Sequence, residues 1–271
     1  MSDAARNGAV AERRDHMTMT DRRRSTVIVQ LGRLVLAGGL AGALAGFLWG
    51  GVGGRIAMRI VFLTSNSPVD GLQSDDGFEI GRLSTETFFL VTATTFIGAF
   101  LGPIAALLRK AMQNRTTVAA SAFAVASGAL VGSVIVHSDG IDFRLLDPLP
   151  LTVGLFVLIP AAAGATGVML VDWFMRPVGW ITRIPGPLAV VLAVLGAIPI
   201  VFITESVVRN LMSLIVVATC GLLGWGIAAI ASPDVAGSRI GRVTHWAAWV
   251  LLLTATVFGI VGLAQDIAAL R

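Results

Sequence analysis

Seven long runs of apolar residues fill the chain from about residue 31 to its C-terminal end. Each run approaches or exceeds the roughly 20 apolar residues that a helix needs to cross a lipid bilayer. The runs are continuously apolar and do not alternate every second residue, which favours helices over barrel strands. The pattern predicts an all-α, polytopic membrane helix bundle with spans at 34–54, 86–108, 117–136, 151–173, 186–204, 210–231 and 245–264.

A polar segment precedes the apolar runs, and a very short polar segment separates two of them. Residues 1–30 are polar and rich in arginine, which predicts a basic cytoplasmic arm ahead of a transmembrane bundle at 31–271. The first apolar run starts late and is long, so a retained span is favoured over a cleaved signal peptide. Only Glu205 to Arg209 separate the fifth and sixth runs, so seven crossings joined by a tight hairpin are favoured and six are the alternative.

Charge distribution orients the predicted bundle. With the N-terminus in the cytoplasm and seven spans, the inner segments hold 14 of the 20 basic residues and six of the 16 acidic residues. The net charge is then +8 inside and −4 outside, which together give the net +4 of the chain. Because cytoplasmic loops carry an excess of Lys and Arg, the C-terminus is predicted to lie outside.

Composition supports a membrane protein and excludes several other classes. Only 13% of the residues are charged, where soluble domains carry roughly 25%, and the mean hydropathy is +0.84. An ordinary soluble enzyme is therefore excluded, and the lipid bilayer is the predicted partner. The sequence pI is about 10.8, but the basic residues form no patch interleaved with aromatics, so no nucleic acid is predicted. Cys220 is the sole cysteine and can form no internal disulfide.

The first span carries glycines at four-residue spacing, which places them on nearly one helix face. Glycine lets a second helix approach closely in lipid, so this spacing predicts a helix-packing face, either within the bundle or between subunits. The alternative is a broken helix at Gly50 to Gly54 whose backbone amides face an anion. The face consists of Gly38, Gly42, Gly46, Gly50 and Gly54.

Arg55 and Arg59 follow the glycines, one turn apart and on one face. A helix running from Arg33 to Leu63 measures about 46 Å, longer than the roughly 30 Å hydrocarbon core, so both arginines are predicted at the outer boundary. The nearest compensating acids are in the next loop, and they are Asp75, Asp76 and Glu79. Two interpretations follow: structural ion pairs that pin the loop to the helix, or an outward-facing site for an anionic or zwitterionic ligand.

One stretch also carries a resemblance. Gly53-Gly54-Arg55-Ile56-Ala57-Met58-Arg59 is followed by Thr64-Ser65 and by Asp75-Asp76-Gly77-Phe78-Glu79-Ile80-Gly81-Arg82, with Thr85 and Thr87 opening the second span. This combination resembles a group of uncharacterised bacterial polytopic membrane proteins. The resemblance implies a multi-pass protein with this loop arrangement, expected in the bacterial plasma membrane, and it implies no activity.

Known metal, haem and protease patterns do not match this chain. His137, Asp139 and Asp142 in the second outer loop match neither an EF-hand nor a zinc spacing. His137 and His245 are predicted on opposite sides of the membrane, which argues against paired haem ligation. No Gly-x-Ser-x-Gly or paired aspartate motif lies in a span. No catalytic residue, metal or cofactor is therefore predicted.

Three functions remain from the sequence, in decreasing order of preference. The favoured one is a non-enzymatic membrane component or accessory subunit, whose glycine-rich first helix docks a protein partner or a second copy. The alternative is a small-solute or ion transporter that uses Arg55 and Arg59 in an outer vestibule, with Pro160 in the fourth span as a hinge. The lack of charged residues near the span centres argues against transport, and an enzyme acting on lipid-linked substrates comes third.

Overall fold

The fold is all-helical in the part of the chain that the structure, a computed structural model, describes. These residues are 28–65, 85–112, 115–136, 143, 148–192 and 239–270. Five helices in them are long and apolar enough to cross a membrane. They are α1 (Ile28–Thr64), α2 (Thr85–Met112), α3 (Thr116–Ile135), α4 (Leu149–Phe174) and α5 (Arg239–Ala269).

The observed helices extend the predicted spans. Helices α2, α3 and α4 begin and end within a few residues of the prediction, whereas α1 and α5 are longer at both ends. The short helix Trp180–Arg183 follows α4, and residues 186–192 begin the predicted fifth span as a helix. The rest of that span, all of the sixth span and residues 1–27 of the predicted arm lie outside the described residues.

Helix α1 is the longest of the five, at 37 residues. At 1.5 Å per residue it measures about 55 Å, well beyond a hydrocarbon core. Its Gly46–Gly53 segment is wound as a π-helix, and the flanking Ala45 and Gly54 both have right-handed helical dihedral angles. The chain therefore stays helical through Gly50 to Gly54, and the glycines widen the helix without breaking it.

The backbones of α1 and α2 are in direct contact along the glycine face. A Cβ on Gly42 would overlap the carbonyl oxygen of Gly98, and a Cβ on Gly98 would overlap that of Gly42. A Cβ on Gly38 would lie 2.6 Å from the oxygen of Gly102, and one on Gly46 would overlap the oxygen of Thr94. These pairs run in opposite directions along the two helices, which fixes an antiparallel register.

Helix α3 lies between α4 and α5. Towards α4, a Cβ on Gly128 would lie 3.0 Å from the Cβ of Ala161. Towards α5, a Cβ on Gly259 would overlap backbone atoms of Ala129 and lie 2.5 Å from the nitrogen of Leu130. Small residues thus bring three helices together, as expected where lipid supplies no hydrophobic drive for association.

Two clusters of buried apolar residues lie at one end of the bundle, where α1, α3 and α5 begin and α2 and α4 end. One cluster joins α2, α3, α4 and α5 around Met112, Phe123, Val168 and Leu252. The other joins α1, α2 and α4 to Ile181. We call this end the basic end, because the described residues there include Arg33, Arg109, Lys110, Arg115, Arg176, Arg183 and Arg242.

The α1–α2 contact predicts how replacing a single glycine by alanine changes the stability of the protein. Gly42→Ala should lower the free energy of unfolding by about 1–3 kcal/mol, because the added Cβ meets backbone and not a flexible side chain. Gly54→Ala is the matched control on the same helix, since its Cβ would find nothing within 4 Å. Thermal unfolding in detergent measures both. Equal stabilities of the two variants would contradict the contact.

Candidate functional site

Arg55 and Arg59 project from the part of α1 that follows the π-helical segment. Ala57 and Val61 on the same stretch are buried, and Val61 packs against Phe62 and Leu155. Arg55 is half-buried and Nη1 donates to Sδ of Met58 at 4.0 Å. Arg59 is exposed, and its guanidinium carbon lies 5.2 Å from the centre of the Phe62 ring, a cation–π contact.

The acidic residues expected to pair with these arginines are in the predicted loop that follows α1. Asp75, Asp76 and Glu79 lie outside the described residues, so their pairing with Arg55 and Arg59 stays a prediction. The depth of the arginines can be measured along the helix. Arg55 is 22 residues beyond Arg33, which is about 33 Å at 1.5 Å per residue. The two positions are therefore separated by about the thickness of a hydrocarbon core.

A polar contact joins the π-helical segment to α4 midway along the bundle. Nε1 of Trp49 donates to Oγ1 of Thr166 at 2.9 Å. The neighbouring threonines of α2 are turned to their own helix: Oγ1 of Thr94 donates to the Leu90 carbonyl at 2.9 Å and Oγ1 of Thr95 to the Val91 carbonyl at 2.6 Å. The Trp49–Thr166 bond thus links α1 directly to α4.

Pro160 lies within α4, and the helix continues through it. Oγ of Ser127 on α3 donates to the Pro160 carbonyl at 2.9 Å and to the Phe123 carbonyl at 2.5 Å. A Cβ on Gly164, one turn after the proline, would overlap Oγ of Ser127. Close packing against α3 therefore surrounds the proline turn.

A cluster of polar side chains joins three helices at the basic end. Nε and Nη2 of Arg109 on α2 donate to Oδ2 of Asp172 on α4, at 3.0 and 2.8 Å. Oγ1 of Thr116 on α3 donates to the same oxygen at 2.5 Å. The side chains of Arg109 and Asp172 are only 13% and 27% exposed. This cluster links three helix ends through one carboxylate oxygen.

A second contact at the basic end ties α1 to the chain that follows α4. Nη2 of Arg33 donates to the Ile184 carbonyl at 2.8 Å. A Cβ on Gly32 would lie 2.8 Å from Cγ2 of Val190, and one on Gly186 would lie 2.6 Å from Cγ2 of Val29. The first residues of the predicted fifth span therefore pack beside the first residues of α1.

The five glycines of the predicted packing face do not all contact the same helix. Of the five glycines, Gly38, Gly42, Gly46 and Gly50 face α2, whereas a Cβ on Gly54 would contact nothing within 4 Å.

The sequence analysis did not identify the Arg109–Asp172–Thr116 cluster. Asp172 carries the signal that could have found it, since an acid between apolar residues at the end of a membrane helix needs a partner.

Neither metal-binding side chains in the described residues nor a similar known protein indicates a function for the chain. The described residues contain no group of three or more His, Cys, Asp or Glu side chains that could hold a metal ion. Neither a protein-family model, a curated protein nor a solved structure matches the chain. The geometry of the bundle is therefore the basis for a functional proposal.

The Arg109–Asp172 pair predicts energetic coupling between α2 and α4. Asp172→Ala and Arg109→Ala should each lower the free energy of unfolding by about 1–3 kcal/mol, since each leaves a poorly solvated charge behind. The double variant should lose less than the sum, by at least about 0.5 kcal/mol. Arg115→Ala, which removes an exposed neighbouring cation, is the control. Unfolding in detergent with added denaturant measures all four, and additivity would contradict the coupling.

Proposed function

We propose that this chain is a non-enzymatic component of a bacterial plasma membrane, a scaffold or accessory subunit that packs through its glycine-rich first helix. The observation that carries the proposal is the backbone contact between α1 and α2 at Gly42 and Gly98. Such a contact supplies van der Waals attraction between helices in lipid. Apolar side chains there gain nothing by leaving the acyl chains to pack against one another. Together with the Arg109–Asp172 pair, this contact favours a firmly packed bundle, which suits a scaffold or accessory subunit.

We also propose seven spans, with the basic end in the cytoplasm. Helix α4 ends and α5 begins at the basic end, as the shared cluster of Met112, Val168 and Leu252 indicates. The segment between α4 and α5 therefore crosses the membrane an even number of times. Its two apolar runs, 186–204 and 210–231, supply two crossings. Six spans would require α5 to begin at the opposite end, and the excess of arginine favours the cytoplasmic side for the basic end.

A protein partner of α1 must meet a face other than the glycine face. Gly38, Gly42 and Gly46 are covered by α2 of the same chain. The opposite face of α1 carries exposed apolar side chains, again at four-residue spacing, and these are Leu44, Leu48, Val52 and Ile56. We therefore place the proposed contact with a partner helix or a second copy on this row.

Transport is the second candidate, and one observation favours it. The π-helical segment Gly46–Gly53 directly precedes Arg55 and Arg59, and π-helical turns occur frequently at functional sites. In this alternative the arginines attract a small anion to the outer end of the bundle. A transporter also requires the α4 segment around Pro160 to move, against the hydrogen bond from Ser127.

Reporter fusions test the proposed topology. Alkaline phosphatase fused after residue 206, between the fifth and sixth spans, should be active, because it is exported. The same reporter fused after residue 113 or residue 236 should be inactive, and green fluorescent protein should fluoresce at those two positions. Active phosphatase after residue 236 would reject seven spans with a cytoplasmic basic end.

Native gels test the proposed role of α1. Leu48→Trp should remove a higher-order band while leaving thermal unfolding unchanged, because Leu48 is exposed and its neighbours within the chain are not disturbed. Leu158→Trp, also exposed but on α4, is the control and should keep the band. A wild-type protein that runs as a single chain, or a band that survives Leu48→Trp, would reject docking through this row.

Proteoliposome flux separates the two functions. A non-enzymatic component should give no protein-dependent anion flux. Flux that is lost in an Arg55→Ala, Arg59→Ala variant, and kept when Arg183 at the basic end is replaced by alanine, would instead establish the transporter.

A further inference from the structure

A small pocket lies where α4 leaves the bundle at the basic end. It is lined by Trp173, Arg176, Val178, Gly179 and Trp180 and has a volume of about 280 Å³. This is just below the roughly 300–1,000 Å³ of pockets that enclose whole small ligands. The pocket is thus large enough for a compact polar group with a short apolar extension.

The walls of the pocket are held by the backbone. The Gly179 amide donates to the Arg176 carbonyl at 2.7 Å, and Oγ1 of Thr182 donates to the Gly179 carbonyl at 2.6 Å. A Cβ on Gly179 would lie 2.5 Å from the Phe174 oxygen, so the turn needs glycine there. Hydrogen bonds and close backbone packing therefore preform this turn.

The aromatic walls are anchored to the buried core. Phe174 is buried, and its ring centre lies 5.1 Å from that of Trp173 and 6.0 Å from that of Trp180, the latter at 90°. Each tryptophan is nevertheless 51% exposed, and Val178 is 76% exposed. Tryptophan with one side anchored and one side open is typical of the membrane–water interface, where the indole meets both apolar chains and polar headgroups.

Arg176 supplies a positive charge to the lining of the pocket. Its side chain is exposed and has no ion-pair partner among the residues that the structure describes. The nearby carboxylate of Asp172 is bonded by Arg109 and Thr116. A guanidinium group in this setting matches a phosphate, which it can bind through two parallel N–H donors.

We infer that this pocket binds the headgroup of an anionic phospholipid from the leaflet at the basic end. Arg176 pairs with the headgroup phosphate, while Trp173, Trp180 and Val178 contact the glycerol and the first methylene groups. The juxtaposition of an exposed arginine, two half-exposed indoles and a preformed turn at the end of a membrane helix carries this inference. It rests on the proposed membrane location of the basic end and is independent of the role proposed for α1.

Lipid binding to the purified full chain tests the inference. Native mass spectrometry in detergent should show tighter binding of phosphatidylglycerol than of phosphatidylcholine. Arg176→Ala should weaken phosphatidylglycerol binding about tenfold or more, the loss expected for a hydrogen-bonded charge. Val178→Asp should weaken it as well, because it places a negative charge in the pocket. Both side chains are exposed, so thermal unfolding should be unchanged.

Matched controls decide whether the pocket itself is responsible. Arg183→Ala removes an exposed charge from the short helix Trp180–Arg183 beside the pocket, and Val243→Asp adds a charge at an exposed valine near the start of α5. Both should leave binding unchanged. If the controls weaken binding as much as the pocket variants, general attraction to the basic end explains the result and the inference is wrong.

Two further outcomes would also overturn the inference. Equal binding of the anionic and zwitterionic lipids would remove the role of Arg176. Displacement of the lipid by inorganic phosphate at equal concentration would assign the pocket to a free anion. The proposed function fails separately, through the fusions, the native gels or the flux assay, none of which depends on Arg176.

Discussion

The rest of the bundle depends on the direct contact between the backbones of α1 and α2. Helices in lipid gain little from burying apolar side chains against one another, so close approach of the backbones has to supply the attraction. Gly42 and Gly98 meet without any side chain between them. The resulting antiparallel register sets the beginning of α1 beside the end of α2. Arg33 and Arg109 therefore share one end of the bundle, where each bonds to the end of α4 or to the chain just after it.

This arrangement makes the two ends of the bundle physically different. Buried apolar clusters and the Arg109–Asp172 pair hold the basic end. Midway along the bundle, α1 widens into a π-helix, and a hydrogen bond from Trp49 to Thr166 joins it to α4. At the basic end, three helices therefore share one carboxylate oxygen, whereas the contact of Trp49 with Thr166 joins two helices.

The spans could be predicted because hydrophobic length is a property of each segment alone, and α2, α3 and α4 accordingly begin and end close to the predicted residues. The glycine face of α1 was visible for the same reason, since its spacing is local. The helix that packs against this face could not be predicted. Thr94, Gly98 and Gly102 repeat the four-residue spacing on α2, but the same spacing on two helices does not show that they are neighbours. The π-helical segment and the Arg109–Asp172 pair depend on which helices become neighbours. Arg109 and Asp172 are 63 positions apart, so only the folded structure shows that they meet.

Charges that depart from the sorting of basic and acidic residues are stabilised in two different ways. Asp172 is an acid at the basic end, and three donors from Arg109 and Thr116 converge on one of its oxygens. Arg55 and Arg59 are bases at the opposite end, and their guanidinium groups lie against the sulfur of Met58 and the ring of Phe62. A carboxylate near lipid needs strong donors, whereas a guanidinium is weakly hydrated and tolerates polarizable partners. The acid at the basic end is therefore held by strong donors from two neighbouring helices, while each arginine at the opposite end has a polarizable partner on its own helix.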